Sequence, residues 1–213
     1  STAVGYEALK TSNVSGDSFA YNVGLGFRAG LSLTTGTVNT FVGPKAGDAT
    51  TTGSYNTAIG LNSLGANTTA SNNTSVGADA LGANTTGTRN TAIGTDAAQN
   101  LTTGSYNTAL GSQSLQLATT AVGNLAAGYG AMYDHTTGSD NTGLGRNALG
   151  NNTTANNNTA VGSQALLANT TGAANVAVGK SALVANTTAA NNVAIGDACL
   201  YTNTTGANNT AVG

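Results

Sequence analysis

The sequence predicts an all-β protein, a parallel β-solenoid or β-roll with a 17-residue coil repeated about 12 times. Three observations predict it. A 17-residue unit recurs without insertion over most of the chain. Thr, Val and Ile, which favour strands, stand at fixed places in that unit. The composition is too poor in bulky and charged side chains to fill an ordinary three-dimensional core.

The repeat fixes the frame, and internal repeats decide fold class before anything else. TAVGSQALLANTT at 159–171 is followed seventeen residues later by VAVGKSALVANTT. The Gly closing each such tetrad falls at Gly26, Gly43, Gly60, Gly77, Gly94, Gly111, Gly128, Gly145, Gly162, Gly179, Gly196 and Gly213, every step being seventeen. With that Gly as position 0, a Thr pair occupies positions 8 and 9 in all eleven copies, from Thr34-Thr35 to Thr204-Thr205. Position 13 is always Asn: Asn39, Asn56, Asn73, Asn90, Asn107, Asn124, Asn141, Asn158, Asn175, Asn192 and Asn209. A TAVG at Thr120–Gly123 would break the spacing, but Thr119-Thr120 and Asn124 stay in phase, so it reads as a decoy. Residues 1–25 form a divergent first coil: Gly5 to Gly26 is twenty-one residues, which places a short loop-out within Val14–Ala20. Residues 26–213 are the eleven regular repeats of a single elongated domain.

The unit reads G-x-x-A-L-x-x-N-T-T-G-x-x-N-T-A-V. Its Asn, Thr and Gly positions are weak helix formers. Two short strand candidates fit, N-T-A-V and the segment around A-L, separated by the Gly corner and by N-T-T-G. That is one rung of a solenoid. Rungs about 4.8 Å apart make eleven of them a rod of about 53 Å. An insertion inside a strand would shift every stacked column, so only corners tolerate extra residues.

Each element of the rung then has an expected place. Position 16 (Val42, Ile59, Val76, Ile93, Leu110, Ala127, Leu144, Val161, Val178, Ile195, Val212) reads as an inward aliphatic ladder. Position 4 (Leu64, Leu81, Leu115, Met132, Leu149, Leu166, Leu183, Leu200) reads as a second one, each side chain worth about 1.5–3 kcal/mol on burial. Small residues beside them (Ala58, Ala92, Ala160, Ala177; Ala80, Ala148, Ala165, Ala182) suggest close approach of a second chain. The Asn column is expected to stack its amides at a corner. The Thr pair is expected to place one hydroxyl inward and one outward. Charges (Arg28, Lys45, Asp79, Asp96, Arg146, Lys180, Asp197) fall on the two positions after the Gly and mark a solvated corner.

Composition bounds the function. Charged residues are 7%, against roughly 25% in typical soluble domains, and the net charge is −2. Six Lys and Arg scattered along the chain make no nucleic-acid face. Apolar runs are too short for membrane insertion. The single Cys199, in a small-residue position, forms no disulfide framework or cysteine-rich zinc site. The chain starts STAVG and ends NNTAVG, at one phase of the repeat, as expected of a processed chain or a fragment of a longer array.

Chemistry finds few candidates. The one His, His135, lies near Asp134 and Asp140 but in a column mostly held by Asn, and is expected as a solvent-facing turn residue. It lies almost four rungs from Cys199, too far to form a nucleophilic pair. The Gly24–Gly30 and Gly128–Gly130 stretches lack the strand–loop–helix setting of a phosphate loop. Asp79 and Asp96 are successive occupants of one column and read as surface residues. Asn67, Asn84, Asn169, Asn186 and Asn203 match the glycan-acceptor triplet, but the repeat itself generates them. Tyr55 and Tyr106 share an exposed corner; Tyr6, Tyr129, Tyr133 and Tyr201 add scattered aromatics.

The pattern NTAVG-x-x-AL-x-x-NTTG-x-N resembles the repeats of phage and virus-like tail fibre proteins and, more distantly, the NSVAIG-type head repeats of trimeric autotransporter adhesins. The resemblance covers essentially the whole chain. It implies a left-handed parallel β-roll with three chains side by side, although the adhesin heads use a shorter repeat. The expected function is therefore structural and adhesive: the shaft or head of an extracellular, cell-surface or virion-associated fibre. Its partners would be itself, as homotrimer or filament, and a cell-surface glycan or protein receptor. No cofactor, metal or catalytic residue is expected. A self-assembling filament subunit is the alternative. A polysaccharide-acting fibre enzyme lacks its carboxylate cluster, and an ice-binding rod lacks a flat T-x-T array.

Overall fold

A computed structural model describes residues 1–12 and 20–213. Among the described residues there are thirteen three-residue strands and no helix. They run from β1 (Thr2–Val4), β2 (Val23–Leu25) and β3 (Thr40–Val42) to β13 (Thr210–Val212), one strand per coil. All pair in parallel and in chain order, forming one sheet along the side of a β-solenoid. Thr40 pairs with Thr57 and Val42 with Ile59, an offset of seventeen. Thr2 pairs with Val23, twenty-one residues on. Apart from Ala20, the expected loop-out at 14–20 lies outside the described residues. The frame holds through the decoy: Leu110 pairs with Ala127, and Val122 makes only an isolated bridge to Ser139.

The corner Gly ends each strand for two physical reasons. Its φ is positive (+132° at Gly60), where side-chain-bearing residues are strained. A Cβ on Gly60 would also lie 2.5 Å from the carbonyl oxygen of Gly77 in the next coil. Backbone packs directly on backbone up the whole column.

The A-L segment is a chain of tight turns rather than a second strand. Ser63, Gly65 and Asn67 donate their backbone N–H groups three residues back, to Gly60, Asn62 and Leu64. Asn62 and Leu64 take left-handed φ of 53° and 54°. The alternation sends backbone groups to both neighbouring coils: Asn62 N–H to Pro44 O at 3.0 Å and Leu64 N–H to Ala80 O at 3.0 Å. A left-handed Leu costs about 1–2 kcal/mol. Burial of that side chain, with its inter-coil hydrogen bond, offsets the strain.

The direction of the strand corrects the expected interior. Ala58, Ala92, Ala160 and Ala177 at position 15 are fully buried. Alternation along a strand then turns both of their neighbours outward. Ile59, Ile93 and Ile195 are 39%, 43% and 41% exposed, and Val76, Val161 and Val178 are half-buried on the same outer face. The aliphatic ladder is thus external. The small residues expected to meet a second chain line the core instead, Ala80, Ala148, Ala165 and Ala182 included. The Leu column is internal as expected: Leu64, Leu81, Leu115, Met132, Leu149, Leu166 and Leu183 are completely buried, with Leu200 partly so in the last full coil.

Positions 4 and 15 share one space in the lumen, which explains the small residue that stands opposite each large one. Where position 15 is Phe41, position 4 becomes Gly30 and Gly47; a Cβ on Gly47 would sit 2.5 Å from the Phe41 ring. Where position 4 is Met132, a Cβ on Gly143 would sit 3.1 Å from the Met132 methyl. Ser63 and Ser75 fill one layer as a hydrogen-bonded hydroxyl pair, with Ser75 Oγ also donating to Ala80 O at 2.7 Å.

Candidate functional site

Two internal amide columns hold the coils in register. In the first, Asn141 is representative. Its backbone N–H donates to Asn124 Oδ1 at 3.0 Å, and its Nδ2 donates to Ala155 O at 2.8 Å and to Asn124 Oδ1 at 3.1 Å. Asn158 repeats the pattern on Asn141 Oδ1. The column runs from Asn22 through Asn39, Asn56, Asn73, Asn90, Asn107 and Asn124 to Asn192 and Asn209, and it is buried up to Asn192. Each side chain satisfies backbone groups that the corner would otherwise leave unpaired. The expected stacking is present, and its place is inside the wall.

The second column, at position 7, was missed as an interior column in the sequence. Asn169 Nδ2 donates to Asn152 Oδ1 at 3.0 Å and to Gly172 O at 2.9 Å; Asn186 repeats both contacts. Leu33 and Leu101, buried in the same column, were the available signal. Asn84 Oδ1 is left buried without a partner below Leu101, which has no donor. Asn67, Asn84, Asn169 and Asn186 are fully buried, so these four glycan-acceptor nitrogens are enclosed in the folded rod, while Asn203 in the last coil is only partly buried.

His135 stands in this column and corrects its expected placement: it is fully buried. Its Nε2 lies 2.7 Å from Gly138 O, and its Nδ1 lies 3.0 Å from Asn152 Nδ2. The two contacts specify a ring with the proton on Nε2, donating to Gly138 O and accepting from Asn152 at Nδ1. Burial pushes its pKa below the usual His value, against the opposing effect of the hydrogen bonds. Cys199 is buried in its Ala position, as expected. Among the described residues no three His, Cys, Asp or Glu side chains gather as a metal set. No helix there is long and apolar enough to cross a membrane.

The outer surface has three sides. The first is the sheet face, formed by positions 14 and 16. Across all thirteen strands these two positions hold only Thr, Val, Ile, Leu and Ala. The second is the turn face, where the expected charges lie: Lys45, Arg146, Lys180 and Asp197 are exposed, and Arg28, Asp79 and Asp96 partly so. Near the start of the rod, Glu7 bridges Lys10 at 2.7 Å and Arg28 at 2.9 Å, and the hydrogen bond from Lys10 holds its carboxyl below the usual range. Tyr6 stacks on Phe27 with ring centroids 5.6 Å apart. Further along, Asn62, Asp79, Gly82, Ala83, Gln99 and Asn100 line a shallow open hollow, with Asn62 Nδ2 donating to Asp79 Oδ1 at 2.6 Å.

The third side carries the Thr pairs, and neither hydroxyl points into the core. The chain turns at the pair, so positions 7 and 10 are the inward ones. The first Thr binds the next coil: Thr85 Oγ1 donates to Thr102 O at 3.1 Å, and Thr102 Oγ1 to Thr119 O at 3.0 Å. The second Thr is exposed. Tyr55 and Tyr106 are exposed beside it, at 60% and 56%.

The geometry defines a class, the parallel β-solenoid rod with an internal amide spine and an uncharged sheet face. No family model matches the sequence, and no curated protein or solved structure matches it either.

Proposed function

We propose that the chain is a structural and adhesive fibre segment, the shaft or head of an extracellular, cell-surface or virion-associated fibre, in which three rods associate side by side through their sheet faces. The observation that carries this reading is the uncharged outer face of the thirteen-stranded sheet. A sheet face left in water ordinarily alternates toward polar and charged residues. Here a continuous aliphatic column runs its full length, beside a column that is mostly Thr. Twelve inter-strand steps and a three-residue width give a strip of about 58 by 10 Å, roughly 600 Å². That is at the upper end of apolar patches on monomers and near the roughly 800 Å² a partner contributes to a stable interface. A second copy suits it because both rods have the same rise, so the columns stay in step along their length.

Sedimentation of the chain is the test. A species of about 62 kDa, three times the 20.6 kDa chain, is the expected result, with rods in electron micrographs. A monomer at every concentration would overturn the reading, and a mass that grows continuously with concentration would favour an open filament.

A further inference from the structure

The eleven coils are an internal comparison of which positions vary. Exposed positions have diverged freely: position 1 holds Phe27, Pro44, Leu61, Ala78, Thr95 and Ser112 in successive coils. Positions that never vary have a visible structural role, with one exception. Wherever a coil follows, the corner Gly admits no Cβ, the column Asn satisfies buried backbone, and the first Thr of the pair, from Thr34 to Thr187, ties its hydroxyl to that coil. The second Thr is exposed in every copy, from Thr35 to Thr205, and its hydroxyl makes no hydrogen bond among the described residues. Ser would keep the hydroxyl and Val the β-branched shape, yet neither occurs there in eleven copies. Retaining both methyl and hydroxyl at a site the fold does not use points to a contact outside the chain.

We infer that this Thr column is a lateral contact at which rods, or oligomers of rods, pack against one another. The occupant is a second copy of this chain. The column is uncharged and repeats at the strand spacing, about 4.8 Å, for roughly 48 Å. An object with that same repeat over that length is another rod. Identical side chains stacked coil on coil at this bend interdigitate, methyl between methyls, with hydroxyls donating and accepting across the seam. The inference is independent of the sheet-face reading, because the two columns lie on different sides of the coil and respond to different substitutions.

The experiment compares the full chain with a variant carrying Thr86→Lys, Thr103→Lys, Thr120→Lys and Thr137→Lys, by sedimentation and electron microscopy over a hundredfold concentration range. The expected result is side-by-side bundles of the basal species in the original chain and the basal species alone in the variant. A second variant with Ser at the same four positions keeps the hydroxyls and removes the methyls; bundling should then need at least tenfold more protein. The inference is overturned if the original chain never bundles, if the Lys variant folds and bundles equally, or if the Ser variant bundles at an unchanged concentration. Single rods that instead reshape growing ice crystals would also overturn it, assigning the column to ordered water. Ile93→Lys with Val161→Lys probes the sheet face separately: loss of the basal oligomer with bundling retained keeps the two surfaces distinct.

Discussion

The ring of Phe41 occupies the space that a side chain on Gly47 would need; a Cβ there would lie 2.5 Å from the ring edge. In most other coils the same space is filled from the opposite wall, by Leu64, Leu81 or Leu149 reaching toward an Ala or Ser at position 15. Positions 4 and 15 thus share one space, which the sequence fills from either side, while the layer of Ala98 between Ala92 and Ala109 carries small residues on both walls.

A compensated exchange follows. Phe41→Ala alone should cost about 3–5 kcal/mol, since the lumen cannot collapse around a rigid ladder. Gly47→Leu alone should also destabilise, through the clash and the loss of Gly at φ +58°. The double variant recreates the Leu-over-Ala layer of other coils and should recover more than half of the combined loss, a coupling of 1 kcal/mol or more. Chemical denaturation of the four chains measures it; strict additivity would show that the two residues do not share a space.

The amide spine makes a sharper demand. Asn141→Ala removes the acceptor of the Asn158 backbone N–H and the donor to Ala155 O, both buried. Each orphaned group costs about 1–3 kcal/mol, so the variant should lose about 2–5 kcal/mol. Thr142→Ala, one residue on but on the outer face, should change stability by no more than about 0.5–1 kcal/mol. Equal effects in thermal melts would mean that the spine contributes little to register.

The register itself was legible because stacking leaves a one-dimensional trace: every coil must have the same length, and Gly26 through Gly213 display it. The Leu64 column and the Asn39-to-Asn209 column were legible for the same reason. The strand's facing was not. Positions 15 and 16 are adjacent and both apolar, so hydrophobicity alone cannot phase an alternation of period two, and the bulkier Ile59 and Ile93 looked like the core. The signal lay in exchange of size: Phe41 occurs with Gly30 and Gly47, and Gly143 with Met132. His135 was misplaced because a polar residue in an Asn column suggested solvent, when Leu33 and Leu101 in that column meant burial. The left-handed turns at Asn62 and Leu64 leave no mark at all, since nothing in a Leu announces positive φ.

His135 gives the rod one acid-sensitive layer. Burial lowers its folded-state pKa below the ordinary value of 6.5, so the unfolded chain binds the proton more readily. Its contribution is therefore complete above about pH 6.5 and is lost as pH falls from there toward the depressed folded value, by at most about 1.4 kcal/mol per pH unit. His135→Asn restores the residue found at that position in the next coil, where Asn152 lies, and should flatten this part of the profile. Melts at pH 5 and pH 7.5 decide it: the original chain should lose more stability on acidification than the variant. An equal loss in both would place the acid response elsewhere.

The outward ladder separates stability from the proposed association, because neighbouring residues on one strand face opposite ways. Ala92 is fully buried and Ile93 is 43% exposed. Ala92→Ile adds bulk to a filled lumen and should cost about 1–3 kcal/mol. Ile93→Lys adds a charge in solvent and should leave the isolated rod within about 1 kcal/mol of the original. In the proposed side-by-side assembly the order reverses: a Lys in the centre of a sheet-to-sheet contact leaves an unpaired buried charge, so Ile93→Lys should prevent that association while Ala92→Ile leaves the outer surface unchanged. Melts of the dissociated chains and sedimentation of the assembled ones read the two effects independently. A destabilised Ile93→Lys rod beside a fully stable Ala92→Ile rod would mean that the strand faces the other way.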